Sequence, residues 1–145
     1  MAIHPYLMFG GNCREAFNRY EEIFGGELVL LTMDDMPAGA DAHPHQGDLI
    51  MHAALTFGDN LLMASDDASG DFESVRGMAV NYSCSDVAEA QRIFDGLAEG
   101  GTVTMAMEPT FWSPSFGMCV DRFGTPWMIN AQPADAGDGS AEGGG

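Results

Sequence analysis

Two stretches decide the fold, EAFNRYEEIFGGELVLL at residues 15–31 and EAQRIFDGLAEGGTVTM at residues 89–105. Each has the apolar spacing of an amphipathic helix, then a glycine pair that stops the helix, then an extended segment. The helix starts lie 74 residues apart, and the glycine pairs lie 75 residues apart. This nearly constant offset predicts an internal repeat, with one copy in each half of the chain.

Further extended segments surround both predicted helices in the same order. One precedes each helix, at residues 5–9 and 78–84. Three follow each helix, at residues 27–32, 50–57 and 61–64 and at residues 103–107, 116–120 and 127–131. Turn residues separate the last two segments of each half, at residues 58–60 and 121–124. The fold class is therefore predicted to be α+β, with two tandem βαβββ modules at about residues 3–66 and 77–132.

The length and composition fit one folded domain. A chain of 145 residues with 46% hydrophobic residues has material for one core, which argues against a two-domain enzyme. We predict a single domain over residues 1–133 and a flexible, acidic, glycine-rich tail over residues 134–145. Residues 34–48 carry proline, glycine and two histidines without apolar periodicity, and are predicted to be a mobile connection.

The charge balance excludes several classes of partner. The chain has 22 acidic residues and 5 basic ones, a net charge of -17, and it has no lysine. It therefore lacks a lysine for a Schiff base or a P-loop, and it lacks a basic groove, so nucleic acid and membrane surfaces are excluded as expected partners. Three cysteines without CxxC spacing favour a reducing compartment, and no apolar run is long enough for a membrane span. We expect a cytoplasmic protein.

Several motifs within the repeat resemble one known family. The motifs are PYL at residues 5–7, HA at 52–53, MASD at 63–66, TFW at 110–112 and DRFGTPWMIN at 121–130. They are similar to the PhnB-like branch of the vicinal oxygen chelate superfamily, which includes glyoxalase I, extradiol dioxygenases, fosfomycin-modifying enzymes and bleomycin-binding proteins. The resemblance covers residues 3–132. It implies a glyoxalase/bleomycin resistance/dioxygenase fold, whose two curved sheets surround a shared cleft, usually in a homodimer.

The same branch is often described as a demethylubiquinone methyltransferase. An enzyme that uses S-adenosylmethionine is expected to bind it at a strand, a glycine-rich turn and a helix. This chain has no GxGxxG motif, and its glycine pairs follow helices instead of preceding them. We therefore predict that the protein is not a methyltransferase of that kind.

The resemblance also implies four positions for the ligands of a divalent metal. One lies near the start of the first strand of each module, and one lies on the last strand of each module, four residues after the turn glycine. In this chain they fall on His4, on Met78 or Ala79, on Leu62 and on Met128. Only His4 offers a suitable donor, and a catalytic zinc ion needs about three protein ligands. No cofactor is expected, with a divalent metal as the alternative.

Strand alternation then predicts the lining of an apolar cleft. This alternation gives Tyr6, Leu62, Asn81, Met128 and Asn130 as predicted binding residues. The family resemblance adds His52, and Phe111 and Trp112 are added because they lie between Pro109 and Pro114. His52 would be a pocket donor or base, or else a histidine hydrogen-bonded to a neighbouring strand. Phe111 and Trp112 would close over the cleft, or else pack at a dimer interface or beneath a loop. His43 and His45 form an HxH pair in the predicted mobile connection, and pairs of this kind can bind metals adventitiously.

Three functions remain open from the sequence. The first is a small-molecule binding protein or enzyme that works without the usual metal. The second is a metal-dependent lyase, isomerase or dioxygenase that uses His4 and His52 with an acid such as Glu108. The third is a protein that sequesters a flat aromatic compound, as in bleomycin resistance, with Trp112 stacking on the ligand. In each case we expect a small-molecule ligand and a homodimer, and the sequence does not decide whether a reaction occurs.

Overall fold

The computed structural model describes residues 1–35, 48–69 and 71–132. The predicted tail, most of the predicted mobile connection, and His43 and His45 lie outside the described residues. The elements follow the order β1 (Tyr6–Phe9), α1 (Cys13–Phe24), β2 (Glu27–Thr32), β3 (Ile50–Phe57), β4 (Asn60–Asp66), β5 (Val80–Cys84), α2 (Val87–Ala98), β6 (Thr102–Glu108), β7 (Ser115–Val120) and β8 (Pro126–Ala131). The predicted α+β class and the repeated βαβββ order are confirmed.

The two repeats form two compact units, with the boundary between Val75 and Arg76. We call them unit 1 and unit 2. In unit 1 the strand order is β1-β4-β3-β2, and in unit 2 it is β5-β8-β7-β6. The first and last strands of each unit pair in parallel, and the other pairs are antiparallel. The single-domain assignment of residues 1–133 stays a prediction.

One helix covers one face of the sheet in unit 1. Helix α1 turns Ala16, Phe17, Tyr20 and Ile23 inward at helical spacing, and all four are buried. Phe17 meets Phe9 of β1 edge to face at a ring-centroid distance of 6.1 Å. A 12-residue helix is marginal by itself, so this packing against the sheet is what stabilises α1.

A buried carboxylate holds the start of α1. The Asp66 side chain, at the end of β4, is 7% exposed. It accepts hydrogen bonds from the backbone N–H groups of Gly11 at 2.9 Å, Cys13 at 3.0 Å and Ile50 at 2.9 Å. Asn12, the residue before the helix, makes no capping hydrogen bond with its side chain. Asp66 therefore supplies the acceptor that the helix N-terminus requires, and the end of the MASD motif has a structural role.

Helix α2 covers the matching face in unit 2. Its Ala90, Ile93, Phe94 and Leu97 are buried, and the Asp86 side chain accepts a hydrogen bond from the Ala88 N–H at 3.0 Å. The glycine pair after α2 lets the chain pass close to β7. A Cβ atom on Gly101 would lie 2.2 Å from the carbonyl oxygen of Val120. The same contact recurs in unit 1, where a Cβ on Gly26 would lie 2.1 Å from the Thr56 carbonyl oxygen.

A second buried carboxylate builds the turn between β7 and β8. Asp121 accepts hydrogen bonds from the backbone N–H groups of Phe123 at 3.0 Å and Thr125 at 2.9 Å. Its other oxygen accepts the indole N–H of Trp127 at 2.9 Å. Both Asp121 and Trp127 are buried. Within the DRFGTPWMIN motif, Asp121 therefore fixes the turn and holds the Trp127 indole in the core.

Candidate functional site

Each sheet has a second face, opposite its helix, and most of the predicted binding residues lie there. In unit 1 we call it helix-free face 1, comprising Tyr6, Met8, Val29, Leu31, His52, Ala54 and Met63. Strand pairing aligns these residues, because Tyr6 pairs with Met63, Met63 with Ala54, Ala54 with Val29, and Leu31 with His52. Four of its large side chains are 42 to 53% exposed, namely Tyr6, Met8, Val29 and Leu31. An exposed apolar surface of this kind is typical of a binding site.

Tyr6 and His52 form the polar part of helix-free face 1. Their ring centroids lie 6.0 Å apart, with the planes tilted by 35°, and His52 is half-buried. Among the residues that the structure describes, none forms a hydrogen bond with the His52 side chain. This geometry does not match a histidine bonded to a neighbouring strand. It leaves both imidazole nitrogens available to a ligand.

The corresponding surface of unit 2, helix-free face 2, comprises Asn81, Ser83, Met105, Phe116, Met118, Met128 and Asn130. Asn81 pairs with Met128 and Ser83 pairs with Asn130 across β5 and β8. Phe116 and Met118 of β7 pair with Asn130 and Met128. Alternation along the strands therefore brings Asn81, Met128 and Asn130 to one face, as the sequence predicts. Their part in binding stays a prediction.

The polar groups of helix-free face 2 form a short row. The Asn81 side-chain amide donates to the Ser83 hydroxyl oxygen at 3.0 Å. Asn130, the next residue in the row, is 8% exposed. Its carbonyl oxygen Oδ1 is buried and accepts no hydrogen bond from any described residue. Unpaired buried polar atoms are rare in folded proteins, so Oδ1 is an unfilled acceptor at the end of this polar row.

The TFW motif forms a tight turn beside this row. The Thr110 hydroxyl accepts hydrogen bonds from the Ser113 N–H at 3.1 Å and the Trp112 N–H at 3.3 Å. The Ser113 hydroxyl contacts the carbonyl oxygen of Ala131, which anchors the turn to the end of β8. Phe111 is 97% exposed and Trp112 is 51% exposed. The Trp112 ring lies edge-on to Phe111 at 4.8 Å and to Phe116 at 5.4 Å.

The placement of Leu62 in the cleft is wrong. Leu62 is 4% exposed and shares the helix-covered face with Leu55 and Ala64. The reason is that the two turns differ in length. Phe57 pairs with Asn60 around two residues, whereas Val120 pairs with Pro126 around five, so counting four residues from each glycine reaches opposite faces. The counterpart of Met128 is Met63, because Met63 pairs with Tyr6 as Met128 pairs with Asn81.

The same pairing resolves the first-strand positions. The Phe9 carbonyl accepts from the Asp67 N–H as the Cys84 carbonyl accepts from the Gln132 N–H, so Phe9 corresponds to Cys84. Tyr6 therefore corresponds to Asn81, and His4 corresponds to Ala79 and not to Met78. The four ligand positions that the resemblance implies therefore hold His4, Ala79, Met63 and Met128. One imidazole, one methyl group and two thioethers do not fit a divalent ion that prefers oxygen and nitrogen ligands. Elsewhere in residues 1–35, 48–69 and 71–132, no three His, Cys, Asp or Glu side chains gather in a metal-binding arrangement.

The charged groups lie away from the centres of both faces. Across the described strands there is no arginine, and two of the five arginines pair with acids on their own helices, Arg19 with Glu22 and Arg92 with Glu89. Glu108, the acid proposed for a metal-dependent reaction, pairs with Phe116 at the end of β6. The chain as a whole has a net charge of -17, which disfavours the approach of anions.

The buried cysteines are structural. Burial raises the pKa of the Cys13 thiol to about 12, with a further contribution from the charge of Asp66. Burial likewise raises the pKa of Cys119 to about 11, assisted by Asp121. A nucleophilic cysteine needs a lowered pKa and access to solvent. Neither thiol meets those conditions.

Comparison with known proteins places this architecture in a family. Residues 1–130 match the family model described as 3-demethylubiquinone-9 3-methyltransferase. Protein YjdN of Escherichia coli (strain K12) is 34% identical over 139 residues, which cover 90% of this chain and 95% of YjdN. The crystal structure of protein PA1353 from Pseudomonas aeruginosa is 46% identical, with a TM-score of 0.84, and the match covers 92% of this chain and 98% of that one.

Two more distant structures share the fold. A putative 3-demethylubiquinone-9 3-methyltransferase, PhnB protein, from Bacillus cereus has a TM-score of 0.72 at 23% identity, covering 90% of this chain and 99% of that one. The fosfomycin resistance protein FosX from Mesorhizobium loti has a TM-score of 0.62 at 10% identity, covering 96% and 97%. The repeated βαβββ units, the TFW and DRFGTPWMIN motifs and these matches agree, and the chain belongs to the PhnB-like family of the vicinal oxygen chelate superfamily.

Proposed function

We propose that the protein binds a small, mainly apolar molecule on its helix-free faces, without a resident divalent metal. The observation that carries this proposal is the pair of methionines, Met63 and Met128, at the last-strand positions where the superfamily places metal-binding carboxylates. Thioethers are poor ligands for magnesium, manganese or zinc. Methionine side chains are flexible and polarisable, so they pack well against an apolar ligand.

The other residues of the two faces support the same proposal. Large apolar side chains surround a few polar groups, namely Tyr6 and His52 in unit 1 and Asn81, Ser83 and Asn130 in unit 2. Small-molecule sites have this composition, with an apolar lining and a few polar groups that orient the ligand. We propose that Tyr6, His52, Asn81 and Asn130 are those orienting groups. Whether the ligand is transformed after binding depends on its chemistry.

We further propose that the protein is not a methyltransferase that uses S-adenosylmethionine, although its family model has that description. Gly26 and Gly101 follow their helices and allow close approach to Thr56 and Val120. They therefore do not form a glycine-rich turn before a helix, where such a cofactor would lie. Calorimetric titration with S-adenosylmethionine should show no binding.

A metal analysis combined with a ligand screen tests the main proposal. The protein is purified without a histidine tag, its metal content is measured, and Mg²⁺, Mn²⁺ and Zn²⁺ are titrated by calorimetry. A library of apolar fragments is then screened by thermal shift, with and without a chelator. We expect less than one tightly bound ion per chain and fragment binding that survives chelation. One tight ion per chain, together with fragment binding that chelation abolishes, would contradict the proposal.

Sequestration of a flat aromatic compound is a second candidate function. Phe111 and Trp112 favour it, because they place two aromatic rings in solvent beside helix-free face 2. Base or drug rings stack on such side chains. Slow dissociation without any chemical change in the ligand would distinguish sequestration from catalysis.

A homodimer is also proposed, since Tyr6, Met8, Val29 and Leu31 leave a row of large apolar side chains half-exposed in the single chain. Sedimentation analysis tests this, and a monomer at micromolar concentration would contradict it. Within the described part of the chain, no helix has both the length and the apolar content to cross a membrane. Cytoplasmic location stays a prediction.

A further inference from the structure

We propose that Asn130 is the hydrogen-bond acceptor of a subsite that binds a planar, uncharged ring carrying an N–H or O–H donor, with Trp112 as its movable cover. The proposal rests on the proposed function, because it specifies the ligand chemistry of helix-free face 2. It assigns different tasks to two residues of that face. Asn130 selects the donor, and Trp112 packs against the ring.

The first argument is the unfilled acceptor. Asn130 Oδ1 is buried and accepts no hydrogen bond from residues 1–35, 48–69 or 71–132. A buried polar atom without a partner destabilises the folded chain, so leucine at this position would give a more stable sheet. Retaining the amide is consistent with a partner that is absent from the free chain. That partner must donate a hydrogen, since the unfilled atom is a carbonyl oxygen.

The second argument is the polarity of the neighbouring groups. Ser83 pairs with Asn130 in register, and its hydroxyl oxygen already accepts from Asn81 at 3.0 Å. The Ser83 hydroxyl hydrogen has no acceptor among the described side chains. Helix-free face 2 therefore offers a hydrogen-bond acceptor at Asn130 and a hydrogen-bond donor at Ser83, on adjacent strands. A lactam or amide edge, which presents N–H beside C=O, complements that pair.

The third argument concerns the shape and charge of the ligand. Phe116 pairs with Asn130, and the half-exposed Trp112 ring lies 5.4 Å from Phe116. Aromatic side chains beside the acceptor favour a flat ring over a flexible chain. Glu108 also pairs with Phe116, and no arginine lies on the described strands of unit 2. An anionic ligand is therefore disfavoured, and a neutral one fits.

The cover must move for the ligand to reach Asn130. Oδ1 is buried in the free chain, whereas Trp112 is half-exposed and its ring contacts with Phe111 and Phe116 are of the edge type. A half-exposed side chain changes rotamer more readily than a buried one. Trp127, the other tryptophan, is buried and bonded to Asp121, so ligand-induced changes in tryptophan emission should come from Trp112.

A matched pair of probes tests the acceptor on the unmodified protein. The probes are 2-quinolinone, a planar lactam, and 1-methyl-2-quinolinone, which has the same ring but no N–H donor. Both are titrated by protein-observed NMR and tryptophan fluorescence. We expect 2-quinolinone to bind about tenfold more tightly, which is the scale of one hydrogen bond. Equal affinities would overturn the proposal and would indicate that a bound water satisfies Asn130 instead.

Two variants complete the test. Asn130→Leu removes the acceptor at similar volume, and we expect it to reduce the affinity for 2-quinolinone to that for the methylated probe. Asn18→Leu, the same exchange at an exposed position of α1, should leave both affinities unchanged. Persistence of the donor preference in Asn130→Leu would overturn the proposal. If neither probe binds while other apolar fragments do, this inference fails and the proposed function survives. If no fragment binds and a divalent ion binds stoichiometrically, both fail.

Discussion

At the scale of single residues, some residues of the family motifs stabilise the fold and others are available to bind a ligand. Asp66 and Asp121 stand in two of the motifs that carry the family resemblance, and both are buried acceptors of three hydrogen bonds. A family motif therefore need not mark a reaction centre. Asn130, at the end of one of the same motifs, has the opposite property, because its amide oxygen lacks a partner.

Replacing Asp66 by asparagine should destabilise unit 1 strongly. The substitution keeps the shape of the side chain but removes the charge, and it turns one acceptor into an N–H₂ group that faces a backbone N–H. Hydrogen bonds to charged groups contribute about 1.5–3 kcal/mol, so we expect a loss of about 2–3 kcal/mol in the free energy of unfolding by urea. Asp59→Asn, in the exposed β3–β4 turn, is the control and should change the free energy little. An equal effect of the two substitutions would contradict this role.

The buried thiols predict a loss of stability at alkaline pH. Unfolding lets Cys13 and Cys119 titrate near the ordinary thiol pKa of 9.0, whereas in the folded chain their pKa values are about 12 and about 11. A folded pKa above the unfolded one stabilises the protein below pH 9 and loses that contribution as pH rises from 9 towards 11 and 12. Urea titrations between pH 8 and 10.5 should therefore show a falling free energy of unfolding.

The double variant Cys13→Ala, Cys119→Ala provides the control for that pH dependence. It loses thiol packing at every pH, but its stability should fall less steeply above pH 9. An aromatic disulfide reagent at pH 8 should likewise label Cys84 of the native protein and leave Cys13 and Cys119 unlabelled until urea is added. Rapid labelling of Cys13 or Cys119 in the native protein would contradict the burial of these two thiols.

At the scale of elements, the sequence was sufficient for the helices and for the order of the strands. Both helices lie where apolar spacing and glycine pairs predict them, because those signals are local. The face of β4 was not predictable by counting from Gly58, since it depends on how many residues the turn contains. The contact of Asp66 with Gly11 and Cys13 was also hidden, because it joins residues more than 50 positions apart.

The glycine pairs yield a prediction about the join between helix and sheet. Gly101→Ala places a methyl group 2.2 Å from the Val120 carbonyl oxygen and 2.8 Å from the Asp121 carbonyl carbon. Both are backbone atoms, so the chain itself must shift, and we expect a loss of about 2–4 kcal/mol in stability. Gly100→Ala is the matched control. That residue has a positive φ of 77° but meets only the flexible Arg122 side chain, so its cost should be about 1 kcal/mol.

The candidate site shows which features can be predicted from the sequence pattern alone. Strand alternation predicts Tyr6, Asn81, Met128 and Asn130 on helix-free faces, and the family resemblance adds His52. The structure brings the Tyr6 and His52 rings within 6.0 Å of each other. The sequence pattern did not reveal that Asn130 lacks a partner or that Trp112 rests on Phe116, because both depend on side-chain packing in unit 2. Periodicity predicts the face of the sheet on which a residue lies. Whether its side chain forms hydrogen bonds is seen only in the three-dimensional structure.

The whole molecule has a net charge of -17 and no lysine, so its acidic groups repel one another. The two helix-free faces carry almost no charge and therefore do not offset this repulsion. Most of the acids in the described part of the chain lie instead on helix surfaces, turns and connections, where salt screens them. The Debye length falls from about 30 Å at 0.01 M ionic strength to about 8 Å at 0.15 M. Repulsion between distant acids should therefore weaken mainly within that range.

Thermal unfolding of the whole protein should consequently depend on salt in a characteristic way. We expect the midpoint to rise by several degrees between 0.01 and 0.15 M NaCl, because the folded state holds its like charges closer together than the unfolded chain does. Above about 0.5 M NaCl the rise should flatten, since screening is then nearly complete. Tetramethylammonium chloride at equal ionic strength separates screening from specific sodium binding. A midpoint that is independent of salt, or a rise with sodium alone, would show that self-repulsion does not limit the stability of this chain.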